Sequence, residues 1–448
     1  MSEKIRFDRV IEKVAVFLNA AKVPWDQTVV VRDIYGKIRI LFNFNEKEKL
    51  EQSKFLKNIE EGLCSLGPYF NRSASVFCAC DLIESECVFN DPYILNIILR
   101  QDDNSISLRL LERQIVGHDW LRPKSEQRNN PIPRLAFYGF KGGVGRSTTI
   151  AAIAFLLAQQ GKKVLVIDFD LESPGLSSML LPCDKYPEYG VVDWLVEDAV
   201  GNVDDLLLRD IVASSPLAAD LEGNIKTVPA MGAKTDDPRI DPYYVSKLSR
   251  IYADVPRSDG GMEHFSDRLE RLVEVVEKQE NPDVVLIDCR AGLHDLSAGS
   301  IVRITDESFL FIVDTPQSWE GYHMLFSHWN QCPALLAKIR DKLNVVHAMV
   351  PEKDRRAKFL EKSYLLFAET VYEQSDPSRD SLDEDVPHNF DEDAQEAPHY
   401  PIGVFWNSSL SEFDVHSFEN KSIRDAVELT YKLIFEKVQQ TIQGYTNE

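Results

Sequence analysis

The feature that most constrains the fold is a glycine-rich run at residues 140–148, which reads Phe-Lys-Gly-Gly-Val-Gly-Arg-Ser-Thr. An apolar stretch precedes it at residues 135–138, and an apolar-periodic stretch follows it at residues 150–157. This pattern predicts a buried strand, a tight turn and a helix. Glycines let successive backbone N–H groups converge on an anion, and a helix N-terminus adds partial positive charge. The run therefore predicts a phosphate-binding loop in which the hydroxyl of Ser147 can ligate Mg²⁺.

Three more apolar segments end in polar residues and follow the loop along the chain. Residues 163–170 read Lys-Val-Leu-Val-Ile-Asp-Phe-Asp, and residues 283–288 read Asp-Val-Val-Leu-Ile-Asp. Residues 309–313, Phe-Leu-Phe-Ile-Val, run into Asp-Thr-Pro-Gln. Strands that alternate with helices predict a mostly parallel sheet covered on both faces, with ligand-binding side chains at its carboxyl edge. Each acid taken alone could simply cap a turn, but that interpretation does not account for the whole set.

These four segments, in this order, resemble the MinD/ParA-like (SIMIBI class) P-loop ATPases, whose deviant Walker A loop reads Lys-Gly-Gly-x-x-Lys-[Ser/Thr]. The resemblance covers roughly residues 134–440. It implies an α/β fold with a doubly wound, mostly parallel P-loop NTPase sheet, with ATP and Mg²⁺ as cofactors. It also implies hydrolysis of ATP to ADP and phosphate that is slow or stimulated by a partner.

The loop departs from the family pattern at Arg146, where lysine usually contacts the β- and γ-phosphates. Arginine keeps the charge but is planar, forked and longer than lysine. The chain is similar to a subgroup with arginine at this position, whose motifs include Asp-Leu-Glu-x-Pro-Gly and Asp-x-Arg-x-Gly. Two hypotheses therefore stay open: a switch ATPase, and a nucleotide-binding scaffold or sensor that does not hydrolyse ATP.

The resemblance implies roles for individual loop and strand-end residues. Lys141 would be catalytic by reaching the nucleotide of a second subunit, and Asp170 by orienting the attacking water. Ser147, Asp168 and Asp288 would surround the Mg²⁺ ion, although which of the two acids at residues 168 and 170 orients water is left open. The nucleotide would be bound by Gly142, Gly143, Val144, Gly145, Arg146, Ser147, Thr148, Gly292 and Pro316.

The segments after the two acidic strands resemble switch loops. Gly292 would sense the γ-phosphate, and Pro316 would lie in the adenine pocket. Arg290 has two interpretations of equal weight: a contact with phosphate or a partner, or a plain surface ion pair. Glu172 and Pro174 would shape the switch that follows the second strand.

The first part of the chain lies outside the resemblance. We predict a smaller N-terminal α/β domain at residues 1–125, with an interaction role, and a polar linker at residues 126–133. The ATPase domain would then cover residues 134–448, with an acidic, disordered insertion at residues 373–396. The resemblance implies a homodimer formed around ATP, and the additional N-terminal domain predicts an unidentified protein partner.

Charge and hydropathy narrow the functional classes. The 448 residues carry a net charge of −22, which argues against a general nucleic-acid binder because phosphate neutralisation needs clustered Lys and Arg. The first residues have no apolar core of a signal peptide, and no window approaches a membrane-spanning run. We therefore expect a cytoplasmic protein that does not bind membranes.

Overall fold

The computed structural model describes residues 5–70, 75–83, 85–91, 94–101, 104–114, 116–122, 132–233, 241–257, 262–351, 356–372, 390–410 and 415–447. The chain divides into two compact units, Met1–His118 and Asp119–Glu448. Each unit has its own sheet and its own hydrophobic core.

The first unit is built on a five-stranded mixed sheet with the spatial order β3-β2-β1-β5-β4. Its strands are β1 (Thr28–Arg32), β2 (Ile38–Phe42), β3 (Val76–Cys78), β4 (Leu95–Gln101) and β5 (Asn104–Glu112). Its helices are α1 (Phe7–Ala20), α2 (Glu46–Glu51), α3 (Ser53–Leu63) and α4 (Ser85–Phe89). Helix α1 buries Val10, Val14 and Leu18 because residues four apart share one helix face.

The second unit is built on an eight-stranded sheet with the order β15-β14-β13-β6-β12-β7-β9-β8, in which only β8 runs antiparallel to its neighbour. The strands are β6 (Arg134–Gly139), β7 (Lys163–Phe169), β8 (Ala213–Ser214), β9 (Asn224–Val228), β12 (Val284–Cys289), β13 (Glu307–Ile312), β14 (Leu343–Val350) and β15 (Ile402–Phe405). A separate small pair consists of β10 (Val255–Pro256) and β11 (Met262–Glu263). The predicted doubly wound, mostly parallel α/β sheet is confirmed.

Helices separate these strands along the chain. They are α5 (Arg146–Gln159), α6 (Leu176–Leu180), α7 (Val191–Ala199), α8 (Asp205–Asp210), α9 (Tyr244–Ile251), α10 (Phe265–Glu280), α11 (Asp295–Ala298), α12 (Pro316–Trp329), α13 (Pro333–Ile339), α14 (Arg356–Thr370) and α15 (Lys421–Asn447). A π-helical turn, Gly299–Ile304, continues α11. Helix α5 carries apolar residues around its whole circumference from Ile150 to Ala158, and these residues are buried. Such a helix is expected to be covered by protein on every face.

Strand order brings the two acidic strands beside the glycine-rich loop. Strand β12 lies between β6 and β7, with Asp288 opposite Phe137 on one side and Asp168 on the other. Strands β6 and β12 are buried along their whole length, as expected for central parallel strands. The polar ends of three neighbouring strands therefore meet at one edge of the sheet.

The second unit begins earlier than the predicted linker. Trp120 is buried, its ring centroid lies 5.9 Å from that of Trp329, and its carbonyl accepts a hydrogen bond of 3.0 Å from the Trp329 indole. These contacts bind the segment around residue 120 to the second unit, whereas residues 1–125 were predicted as one domain. Most of the predicted linker, residues 126–131, lies outside the described residues.

The predicted acidic insertion is only partly described. Residues 373–389 lie outside the described structure. Residues 390–396 are described: the ring of Phe390 lies 5.8 Å from that of Tyr372, and His399 Nε2 lies 3.0 Å from the carbonyl oxygen of Glu392. Residues 390–396, which were predicted to belong to the disordered insertion, thus have defined contacts in this structure. Within the described part of the chain, none of the helices has the length and apolarity that crossing a bilayer requires.

Candidate functional site

The glycine-rich loop joins β6 to α5 and leaves its backbone open. Gly143 and Gly145 have φ angles of +73° and +86°, in the left-handed region that favours glycine. A Cβ atom at Gly142, Gly143 or Gly145 would meet no atom of the described residues within 4 Å, so no packing contact with that part of the chain requires these three glycines. Helix α5 begins without a side-chain cap at Gly145. Its first N–H groups are therefore available to an anion.

Ser147, in the first turn of α5, contacts Asp288 near the end of β12. The Ser147 hydroxyl donates a hydrogen bond of 2.5 Å to Asp288 Oδ2. Asp288 is fully buried, and burial raises its carboxyl pKa. Its Oδ1 atom accepts no hydrogen bond from any described residue. A hydroxyl and a carboxylate with a spare oxygen are the hard ligands that Mg²⁺ prefers.

Arg146 turns into the sheet edge instead of standing free above the loop. Its side chain is 6% exposed, and its guanidinium donates to the carbonyl of Cys289 and, at 3.1 Å, to Asp170 Oδ2. Its Nε lies 3.8 Å from Asp288 Oδ1. The nearby carboxylates raise the arginine pKa against the effect of burial. The residue at the lysine position of the family pattern therefore neutralises two acids of the site.

Asp168 and Asp170 occupy different environments at the end of β7. Asp168 is fully buried and accepts hydrogen bonds from Asp170 N at 3.1 Å and from the Ser177 hydroxyl at 3.0 Å. Burial, followed by the charge of Asp288, raises the pKa of Asp168. Asp170 instead binds Arg146 and accepts from the Ser173 hydroxyl at 3.0 Å. Asp170 therefore contacts the glycine-rich loop through Arg146, whereas Asp168 holds the backbone that follows β7 and the side chain of Ser177.

The remaining predicted residues surround the loop. Lys141 is half-buried and donates to the side-chain oxygen of Gln317, one residue after Pro316 at the start of α12. Gly292 has a φ of +81°, and its N–H lies 3.4 Å from the carbonyl oxygen of Gly139. Val144 is buried, and Thr148 lies half-buried in the first turn of α5. The structure thus places all the predicted site residues at the carboxyl edge of the sheet.

Arg290 forms an ion pair with Glu172, and Nε2 of His294 lies 3.5 Å from Glu172 Oε1. Burial and the charge of Arg290 lower the pKa of His294 to about 4, so this imidazole is neutral at neutral pH. In this structure, Arg290 contacts Glu172 through the ion pair.

Two supporting side chains escaped the sequence analysis. The hydroxyl of Tyr138 donates to the carbonyl oxygen of Gly292 at 3.1 Å, and the hydroxyl of Ser177 supports Asp168. A tyrosine inside an apolar strand carries no signal that separates this role from ordinary core packing. Ser177 lies nine residues after the acid it supports, in a helix of its own. Neither contact follows from local spacing.

Comparison with known proteins agrees with this geometry. Residues 135–300 match the CobQ/CobB/MinD/ParA nucleotide binding domain. The antiactivator FleN of Pseudomonas aeruginosa is 24% identical over 226 residues, which cover 50% of this chain and 65% of FleN. The septum site-determining protein MinD of Escherichia coli is 45% identical over 70 residues, which cover 16% of this chain and 25% of MinD. The chain thus spans less than two thirds of the length of these relatives.

Solved structures of related folds align with low overall scores. A structure of pNOB8 ParA bound to nonspecific DNA aligns with a TM-score of 0.41 and 17% identity, covering 70% of this chain and 99% of ParA. The cell division ATPase MinD of Pyrococcus furiosus aligns with a TM-score of 0.40 and 16% identity, covering 69% and 98%. Cobyrinic acid a,c-diamide synthase of Mycobacterium smegmatis, with a bound ATP analog and magnesium, aligns at 0.36 and 19%, covering 53% and 82%.

These comparisons do not support the expectation that this chain is not a general nucleic-acid binder. The comparisons do identify the family of the domain that contains the glycine-rich loop. Residues 135–300 are a nucleotide-binding domain of the CobQ/CobB/MinD/ParA family.

Proposed function

We propose that the second unit binds ATP with Mg²⁺, assembles with a second copy of the chain around the nucleotide, and hydrolyses it slowly. The first unit would connect this cycle to a protein partner. The observation that carries the proposal is the open glycine-rich loop with the Ser147–Asp288 hydrogen bond at its foot. The family assignment of residues 135–300 supports it independently.

The residues present fit a magnesium nucleotide. The backbone N–H groups of residues 142–147 would hold the phosphates, and Ser147 with Asp288 would hold the metal ion. No group of three or more His, Cys, Asp or Glu side chains could hold a metal within the described ranges. The oxygen atoms of Ser147 and Asp288 fit Mg²⁺, which takes its other ligands from phosphates and water. When bound, the ion would neutralise phosphate charge.

Asp170 and Lys141 would perform the chain's own part of the reaction. Asp170 would orient the attacking water, but Arg146 holds one of its oxygens in this structure. Lys141 would leave Gln317 and place its ammonium group near the nucleotide of the second copy. Both side chains must exchange partners before reaction, which supports slow hydrolysis that a partner could accelerate.

A nucleotide-binding scaffold without hydrolysis is the second candidate, and the buried position of Arg146 favours it. If Arg146 stays with Asp170 and Asp288 when nucleotide binds, the charge of Asp170 stays neutralised and one of its oxygens stays occupied, which disfavours its role in orienting water. Steady-state phosphate release separates the two candidates. Turnover by the native protein that Asp170→Ala abolishes supports the ATPase. Turnover that appears only in Arg146→Lys supports the scaffold.

Light scattering tests the assembly. We expect the solution mass to double with Mg²⁺-ATP and to stay monomeric with Mg²⁺-ADP, and Lys141→Ala to remove the doubling. Lys185→Ala is the matched control, since its side chain is 59% exposed and pairs with the adjacent Asp184. Equal masses with both nucleotides would refute dimerisation around ATP. Absence of ATP binding by calorimetry would refute the proposed function as a whole.

A further inference from the structure

Glu172 joins three segments around the nucleotide site. It lies in the loop after β7, two residues beyond Asp170. Its carboxylate forms the ion pair with Arg290, accepts a hydrogen bond from the Tyr252 hydroxyl, and has Oε1 at 3.5 Å from His294 Nε2. The side chains of Glu172 and Arg290 are 20% and 29% exposed. The carboxylate is therefore largely surrounded by protein groups from elsewhere in the chain.

Two of these partners belong to the loop after β12. Arg290 and His294 stand on either side of Gly292, the predicted sensor of the γ-phosphate. The backbone of Arg290 is held in turn, because its carbonyl accepts a hydrogen bond of 2.6 Å from the Ser297 hydroxyl. Glu172 thus attaches the loop that contains Asp170 to the loop that contains Gly292.

The third partner connects the same loop to α9. Tyr252 follows α9 directly, and its ring lies 5.1 Å from that of His294. At the other end of α9, the Tyr244 hydroxyl donates to the carbonyl oxygen of Leu171 at 2.6 Å. Helix α9 is therefore attached at both ends to residues 171 and 172, which immediately follow Asp170.

We propose that Glu172 is a positioning residue that makes the loops after β7 and β12 and helix α9 move together when a γ-phosphate binds. The inference rests on the proposed function, because it requires that the site distinguish ATP from ADP. A glutamate suits this task since its two oxygens serve different segments: one faces Tyr252 and His294, and the other faces Arg290. Glutamine has the same shape but loses the charge that Arg290 pairs with.

Amide hydrogen exchange of α9 and nucleotide affinity test the coupling together. In the native protein, Mg²⁺-ATP is expected to slow exchange in Tyr244–Ile251 more than Mg²⁺-ADP does. In Glu172→Gln, this difference should disappear, and the preference for ATP over ADP should fall roughly five- to tenfold. The affinity for ADP should stay unchanged, because ADP makes no use of the coupled loops.

Glu263→Gln is the matched control. Glu263 is 21% exposed and binds the guanidinium of Arg271, so the change removes a similar ion pair from the same unit. It should leave the response of α9 to ATP intact. The charge-exchanged variant Glu172→Arg/Arg290→Glu should restore part of the ATP preference, which a purely structural loss would not allow.

The outcomes separate this inference from the function on which it rests. A native response of α9 to ATP in Glu172→Gln overturns the positioning role and leaves the nucleotide switch standing. Failure of the native protein to bind ATP refutes both. If Glu172→Gln does not fold, Tyr252→Phe removes only the hydroxyl that joins Glu172 to the end of α9. That variant should bind ATP but lose the exchange response, and an unchanged response would overturn the proposal.

Discussion

Replacing Arg146 with methionine should destabilise the nucleotide-free protein strongly. The guanidinium is 6% exposed and is shared by Asp170 Oδ2 at 3.1 Å, Asp288 Oδ1 at 3.8 Å and the carbonyl of Cys289. Methionine keeps the apolar stem but leaves two buried carboxylates without a cation. Removal of one partner from a buried ion pair costs about 3–5 kcal/mol. That is a large part of the stability of an ordinary domain, about 5–15 kcal/mol.

Replacement by lysine should cost less. Lysine keeps the charge, but a single ammonium group cannot span the acceptors that the forked guanidinium reaches. Loss of one or two hydrogen bonds predicts a destabilisation of about 1–2 kcal/mol. The expected order of stability is therefore native, then Arg146→Lys, then Arg146→Met. We therefore expect that placing the family's usual lysine at residue 146 lowers the stability of the protein.

Urea unfolding followed by tryptophan fluorescence measures these losses at neutral pH, with a chelator and no nucleotide. Five of the six tryptophans belong to the second unit, so the signal chiefly reports the unit that contains Arg146. Arg271→Met is the control, because its side chain is 39% exposed and the buried carboxylate of Asp198 keeps Arg268 as its cation. We expect a smaller loss for that variant.

A double variant decides whether the uncompensated charge is the cause. Arg146→Met combined with Asp170→Asn should recover at least about 1 kcal/mol relative to Arg146→Met alone, because one of the two buried charges is gone. Strictly additive losses, or a loss below about 1 kcal/mol for Arg146→Met, would refute the idea that Arg146 neutralises the acids of the empty site.

Three further predictions concern the same edge of the sheet. Burial raises the pKa of Asp168, so the folded protein holds this proton more tightly than the unfolded chain does. The contribution of Asp168 to stability therefore falls as pH rises from about 4. Asp168→Asn should flatten the pH dependence of thermal unfolding. A Cβ at Gly321 would lie 2.3 Å from the Phe140 ring, so Gly321→Ala should lower the free energy of unfolding by about 1–3 kcal/mol. Gly444→Ala is the control and should not destabilise the protein, because a Cβ there would meet no described atom within 4 Å. Gly292→Ala strains a φ of +81° by about 1 kcal/mol, and calorimetry should show a weaker preference for ATP over ADP.

The local pattern of apolar residues and glycines was sufficient to predict the main strands and the loop of the second unit. Apolar runs at residues 163–169 and 284–289 are long enough for buried strands, and the glycine run can join a strand to a helix in few ways. The unit boundary was harder to predict, because the sequence around Trp120 is polar and its contact with Trp329 spans more than two hundred residues. Composition likewise contains no signal for the contact between the rings of Phe390 and Tyr372, which lie far apart along the chain.

The sequence by itself determined the loop, the strands and the acids, because glycine conformations and apolar periodicity act between neighbouring residues. The tertiary structure alone decided how these parts combine. Strand order placed Asp288 between the loop and Asp168, and this placement turned Arg146 inward toward the acids. It also gave Glu172 its partners on two other segments. Sheet pairing joins residues more than a hundred positions apart, and no local preference contains that information.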